Sequence, residues 1–214
     1  MLAFVAGFIN VVGLLGFEHQ ALSHVTGTSS RLAEAMANLD VQATLHFSAS
    51  IGAFVVGTVL SGILIQDATL QLGRQYSLAL LLEALLLFLS VPLLKYRSVY
   101  GMYAAACACG IQNAMVSTYS GAVIRTTHVS GMFTDLGIAL GHALRGRSLH
   151  ARRVKLYLSG IGGFLGGGIV GTLIFQRFKY EALLFPAVLT AIVSVAYEVY
   201  RAFRKRTAES DPQI

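Results

Sequence analysis

Charge is scarce in this chain. Only 12% of its 214 residues are Asp, Glu, Lys or Arg, 55% are hydrophobic, and the mean hydropathy is +0.67. A soluble domain carries roughly 25% charged residues, so a water-facing globule is excluded. The apolar residues gather instead into runs of about 20, the length that crosses a hydrocarbon core of about 30 Å as a helix. Cysteine is nearly absent. Cys107 and Cys109 stand two positions apart in one apolar run, and on a helix such neighbours point away from each other, so a disulfide is excluded. Their expected role is small apolar filler. A secretory leader is also missing on this reading, because Met1-Leu2-Ala3-Phe4 has no basic segment and no cleavage site follows. The first apolar stretch is therefore expected to remain as a span.

Signatures of catalysis are missing too. His142 and His150 flank a basic loop but lack metal-ligand spacing with Cys or carboxylates. Gly166-Gly167-Gly168 is followed by no Gly-Lys-Ser/Thr and is not a phosphate loop. Ser120-Gly121 gives no nucleophile elbow. The expectation is a non-enzyme without metal or cofactor. The net charge of +6 is no nucleic-acid footprint, because Arg145, Arg147, Arg152, Arg153, Lys155, Arg201, Arg204, Lys205 and Arg206 lie between or after apolar runs. That pattern marks cytoplasmic loops and suits anionic headgroups of membrane lipids as partners.

What the chain does contain is a repeat. His24-Val25-Thr26-Gly27 returns as His128-Val129-Ser130-Gly131, 104 positions later. Upstream, Gly7-Phe8-Ile9-Asn10 matches Gly110-Ile111-Gln112-Asn113. Downstream, Ile51-Gly52-Ala53-Phe54 with Gly57 matches Ile161-Gly162-Gly163-Phe164 with Gly167, and Leu80–Ala84 aligns with Leu183–Ala187. Four runs read as plain spans: Ala43–Ile65, Tyr76–Leu94, Leu156–Gln176 and Glu181–Tyr200. Two regions are interrupted. Leu2–Phe17 breaks and resumes as Thr28–Leu39, and Tyr100–Tyr119 breaks near Ser120-Gly121 and resumes as Met132–His142. Broken helix at membrane depth is tolerated where it is buried in protein or faces water.

Counting each interrupted region once gives an all-α, polytopic bundle of about six spans. Residues 1–97 form repeat 1, 98–206 repeat 2 and 207–214 a cytoplasmic tail, within one structural domain. The basic residues place both termini inside. Three spans per repeat then make the halves inverted-topology repeats, whereas eight spans would make them parallel.

The glycine-dense Leu158–Thr172 stretch is a close-packing seam. Intramolecular packing explains it, and homodimerisation is the sharper alternative. In each His motif, glycine permits a change of direction, and Thr26, Thr28, Ser29, Ser130 and Thr134 suit the cap of a new helix. Helix starts inside a membrane leave free N–H groups and partial positive charge, so two brought together by the repeat would attract an anion. His24 and His128 either handle substrate or protons or tie the break to a carbonyl. Arg31 aligns with Asp135, and a pair across the repeat axis as a gate or strut is expected. Arg125 aligns with Ala21, has no charged mate, and is the best candidate for an anionic ligand group. Glu83, in an apolar run, is either a proton-coupling site or a hydrogen-bond partner of a neighbouring helix; an isolated carboxyl there is protonated or paired. Asn10 and Asn113 line the site or glue helices together.

Gly110-Ile111-Gln112-Asn113, Arg125-Thr126-Thr127-His128-Val129-Ser130-Gly131 and Thr134-Asp135-Leu136-Gly137 together resemble the signature of the YoaK-like family of bacterial membrane proteins. Ser23-His24-Val25-Thr26-Gly27-Thr28 looks like that family's N-terminal motif. The resemblance covers nearly the whole chain. It implies a six-span bacterial inner-membrane protein of unknown function, in a family presumed to include transporters. Two departures stand out. Asn10 stands where members often have an acidic residue, which weakens proton coupling there, and the polar or basic stretch before the first span is missing, which suggests a late start at Met1.

The functional expectation is a secondary transporter or channel for a small solute, anionic on this reading, held by His24, Thr26, Thr28, Arg125, His128 and Ser130. The alternative is a non-transporting scaffold or lipid-binding module.

Overall fold

The computed structural model describes residues 1–65, 74–119 and 126–210. All secondary structure among them is helical: α1 (Leu2–Leu15), α2 (Val25–Ala37), α3 (Val41–Leu64), α4 (Arg74–Lys95), α5 (Val99–Tyr119), α6 (Val129–Leu144), α7 (Ala151–Phe178), a 3-10 turn (Lys179–Leu183) and α8 (Leu184–Ser210). Among the described residues three helical stretches are long and apolar enough to cross a membrane: Val41–Leu64, Arg74–Lys95 and Ala151–Phe203. The last is interrupted at Lys179, whose φ of 51° ends α7 and whose ammonium sits over the Phe175 ring. α1 is apolar but, with 14 residues, reaches only about 21 Å. Large apolar side chains point outward on four of the long helices: Val56 and Ile63 on α3, Leu85 and Leu89 on α4, Ile169 and Leu173 on α7, and Ile192 and Val195 on α8. So much outward apolar surface suits lipid rather than water. The chain is a helical membrane protein.

α1 and α5 are the buried helices. Val5, Phe8, Ile9 and Val12 of α1, with Ala105, Ala108 and Ile111 of α5, have no exposed surface. α1 packs most extensively on α7, and α5 on α3 and α4, while α4 also packs on α8. The first helix of each half is therefore seated against the other half. Glycine makes this possible. A β-carbon on Gly7 would lie 2.0 Å from the Phe164 carbonyl oxygen, and one on Gly167 would lie 1.9 Å from that of Phe4. The α3–α5 crossing repeats the arrangement, with Gly57 against the Cys107 carbonyl at 2.0 Å and Gly110 against that of Phe54 at 2.1 Å. In both crossings each glycine meets the carbonyl three residues before the other glycine. Gly163, Gly167 and Gly171 meet progressively later residues of α1, from Ala3 to Val11, so α1 and α7 run in the same direction. Lipid supplies no hydrophobic drive between helices, and such contacts replace it, each Cα–H···O approach contributing about 0.5–1 kcal/mol. The glycine seam thus packs within the molecule.

Both ends of the bundle are fastened. At one, Lys95 pairs with Glu181 at 2.6 Å and the Tyr180 hydroxyl accepts from Phe17 N–H at 2.8 Å. At the other, Ser77 donates to the Glu198 carboxylate, which also pairs with Arg201 at 3.1 Å, while Ser194 donates to the Ser77 carbonyl at 2.7 Å.

Two local expectations need correction. The short helices begin at Val25 and Val129, within the motifs and not after them. Gly27 and Gly131 are therefore helical residues in the first turn, not points where the chain changes direction. The first break lies upstream, from Gly16 through His24, where His19 has φ 49°.

Candidate functional site

Each motif histidine occupies the N-cap position of its short helix. His24 Nδ1 accepts from Gly27 N–H at 3.3 Å, satisfying one of the donors a helix start leaves free. That bond leaves Nε2–H of the neutral ring as a donor. His128 makes no side-chain cap bond, but a β-carbon on Gly131 would lie 2.1 Å from its Cδ2. The glycine three residues after each histidine thus makes room for an imidazole folded over the first turn. The hydroxyls expected to cap do something else. Ser29 and Thr134 donate to the carbonyls of Val25 and Ser130, one turn back, and Ser30, beside them, does the same to Thr26. Thr26 and Ser130 are exposed, and Thr28 is buried.

The pattern that the two halves share extends to the amides. Asn10 Oδ1 accepts from both N–H and Oγ–H of Ser23, at 3.2 and 2.9 Å, and Asn113 Oδ1 accepts from Thr126 Oγ–H at 3.3 Å. Each amide pins the residues preceding a short helix back onto the long helix before it.

The two helix starts are not brought together. α2 packs on α3 and α6 on α7, and no contact joins α2 to α6. Arg31 and Asp135 form no ion pair; the ion pairs among the described residues are Lys95–Glu181 and Glu198–Arg201. Arg31 lies 5.9 Å above the Phe47 ring and makes a long bond of 3.4 Å to the Glu18 carbonyl. Asp135 lines a different cavity, on α6. Their opposite charges at matched sequence positions reflect two separate environments. Arg125 lies outside the described residues.

A cleft of about 340 Å³ gathers much of what the first motif offers. Asn10, His19, Gln20, His24, Gly27, Thr28 and Arg31 line it with Leu14 and Ala21. Its lining includes one guanidinium, two imidazoles and two amides, and no carboxylate. Behind it stands a hydrogen-bonded chain that the sequence reading missed. Gln20 Nε2 donates to Ser50 Oγ at 2.8 Å and Thr28 Oγ1 at 3.3 Å, and Gln20 Oε1 accepts from His46 Nε2 at 2.9 Å. With that amide orientation His46 carries its proton on Nε2, and Nδ1 accepts from the Tyr103 hydroxyl at 3.0 Å. Five side chains therefore join α5, α3, the α1–α2 connection and α2. A signal was available. His46 and Ser50 are four apart in an otherwise apolar run, one face of a helix.

The second half fills the equivalent place with apolar groups. Thr28 corresponds to Met132 and Ser50 to Gly160, and a β-carbon on Gly160 would lie 2.4 Å from Met132 Sδ. The Thr28–Gln20–Ser50 part of the polar chain has no counterpart in the second half. Glu83 shows the same asymmetry. It is fully buried on α4, accepts from Gln112 Nε2 of α5 at 2.8 Å through Oε1, and leaves Oε2 without a partner. Its counterpart in the second half is Pro186, and that of Gln112 is Ile9. Of the two roles open to Glu83, bonding to a neighbouring helix is visible in this geometry.

No curated protein and no solved structure matches the chain. One family model does, described as "Protein of unknown function (DUF1275)", and it spans residues 1–196. That range takes in both His motifs, both glycine crossings, the cleft and the Glu83–Gln112 pair, and the chain belongs to the DUF1275 family, the YoaK-like group its motifs resemble.

Proposed function

We propose that this protein is a secondary transporter or channel for a small anionic solute, with its recognition site in the cleft at the start of α2. The composition of that cleft carries the reading: Arg31, His19 and His24 converge there with the Asn10 amide, beside the N-terminus of a 13-residue helix, and no carboxylate lines it. Guanidinium offers a planar fork for an oxyanion, and a helix start adds partial positive charge.

The architecture of this reading is two inverted repeats, α1–α4 and α5–α8, giving six spans in a bacterial inner membrane with both termini cytoplasmic. The paired glycine crossings support it, since α1 meets α7 as α5 meets α3 and equivalent residues make the contact. Inversion puts α2 and α6 on opposite sides of the midplane. His24 with Thr26 and Thr28, and His128 with Ser130 and Arg125, then act as two half-sites of one route. Alternating access exchanges which half-site faces water.

The test is thermal stabilisation of the purified protein, and flux in liposomes, with a panel of small anions. At least one anion stabilises the native chain, and Arg31→Ala removes the effect. His24→Ala weakens both fold and binding, the lost cap costing about 0.5–2 kcal/mol. His24→Asn keeps the cap, so lost binding in that variant assigns the imidazole to the solute. A panel of anions without any shift or flux overturns the reading.

A further inference from the structure

The halves of this chain differ in length at several places, one of them between the His motif and the glycine crossing. The offset between matched residues is 104 from His24 to His128 but 110 from Phe54 to Phe164. Six residues have therefore been added between the second His motif and the second glycine crossing. The helices show where. α2 has 13 residues and α6 has 16, and the α2–α3 link covers 38–40 while the α6–α7 link covers 145–150. The shared fold does not need these residues, since the first half makes the same turn without them.

The added segment is strongly basic and shaped by a specific helix ending. Gly146, at φ +78°, donates to the Ala143 carbonyl at 2.9 Å, and Arg147 N–H donates to that of His142 at 3.1 Å. This is a Schellman ending, with glycine at the left-handed position where a side chain would be strained. It turns the chain back and carries Arg147 to the mouth of a cavity of about 510 Å³ between α6 and α7. Arg147, Arg153, His142, His150 and Tyr157 line this cavity, with Asp135 as its one carboxylate. Among the described residues none of these side chains makes a hydrogen bond or ion pair. Ile138 and Leu149 add apolar wall, and Leu140, Leu144 and Leu156 stand exposed nearby.

We propose that this cavity is a second binding site, for the phosphate group of an anionic ligand, distinct from the cleft at α2. Two guanidiniums against a single carboxylate match the charge of a phosphate mono- or diester, and the imidazoles add donors for its several acceptors. Two sources carry that chemistry: the headgroup of an anionic phospholipid, whose chains would lie along the exposed leucines, and a soluble phosphate ester.

The experiment is thermal stabilisation of the full-length protein in a neutral detergent, with three probes. These are phosphatidylglycerol against phosphatidylcholine, glycerol phosphate, and inorganic phosphate. The native chain is stabilised by phosphatidylglycerol or by glycerol phosphate, and Arg147→Gln with Arg153→Gln weakens the apparent affinity by about tenfold or more. Arg152→Gln, adjacent in sequence but not lining the cavity, leaves the affinity unchanged. So does Arg31→Ala, which keeps this result separate from the α2 cleft. A shift with the lipid alone identifies a headgroup, and a shift with glycerol phosphate identifies a soluble ester. The proposal is overturned if no phosphate probe shifts the native chain, if the double variant binds as tightly as the native chain, or if Arg152→Gln loses as much as the double variant.

Discussion

At Glu83 a carboxyl group sits with no exposed surface, one oxygen bonded to Gln112 and the other to nothing. Leaving a buried polar atom unbonded is costly, and removing its one partner adds to that cost. Gln112→Leu should therefore destabilise the protein by about 1–3 kcal/mol, whereas Glu83→Gln, of the same shape, should stay within about 1 kcal/mol of the native chain. Thermal unfolding in detergent measures both. Equal losses in the two variants would mean that the bond is not what holds the pair. Flux measured on folded Glu83→Gln separates the structural role from proton coupling, because the amide keeps the bond and cannot carry the proton.

Among the helices, close approach is concentrated at four glycines, and side-chain-free crossings are unforgiving. Gly7→Ala and Gly167→Ala place a methyl group about 2 Å from a carbonyl oxygen of the opposite helix, as do Gly57→Ala and Gly110→Ala. Backbone must move in each case, at about 1–3 kcal/mol or more. Gly52 and Gly62 on α3 have nothing within 4 Å of such a methyl, so alanine there should be neutral or stabilising by up to about 1 kcal/mol. Matching unfolding temperatures for the two groups of variants would refute the crossings. The sequence already showed these glycines as repeated phrases, along with the extents of α3, α4, α7 and α8, because length and hydropathy are local properties. It did not show that the phrases face one another across the halves, since periodicity identifies a small face and not its neighbour. The same limit misplaced the breaks. A glycine beside a histidine read as a hinge, yet it serves as space for an imidazole over a helix start. His46 was lost inside an apolar run, and Gln20, its partner, is brought to it only by the fold.

For the molecule as a whole, the decisive property is the direction in which the second half is threaded. The α2–α3 and α6–α7 links are equivalent in the repeat, so the proposed inverted topology would set Leu39 outside the membrane and Ser148 inside. Both residues are exposed, and both native cysteines are buried, which makes a cysteine-labelling experiment clean. In a Cys107→Ala, Cys109→Ala background, Leu39→Cys should react with a membrane-impermeant maleimide in intact spheroplasts. Ser148→Cys should react only after permeabilisation, and Arg97→Cys, in the α4–α5 link, should follow Leu39→Cys. Labelling of positions 39 and 148 from the same side would make the halves parallel. The two half-sites at His24 and His128 would then open to one compartment, and exchange between two waters would have no structural basis, whatever the α2 cleft binds. The same experiment bears on the added segment, because the proposed inverted topology would hold the Arg147–Arg153 cavity on the cytoplasmic face, where anionic lipid and soluble phosphate esters are both available.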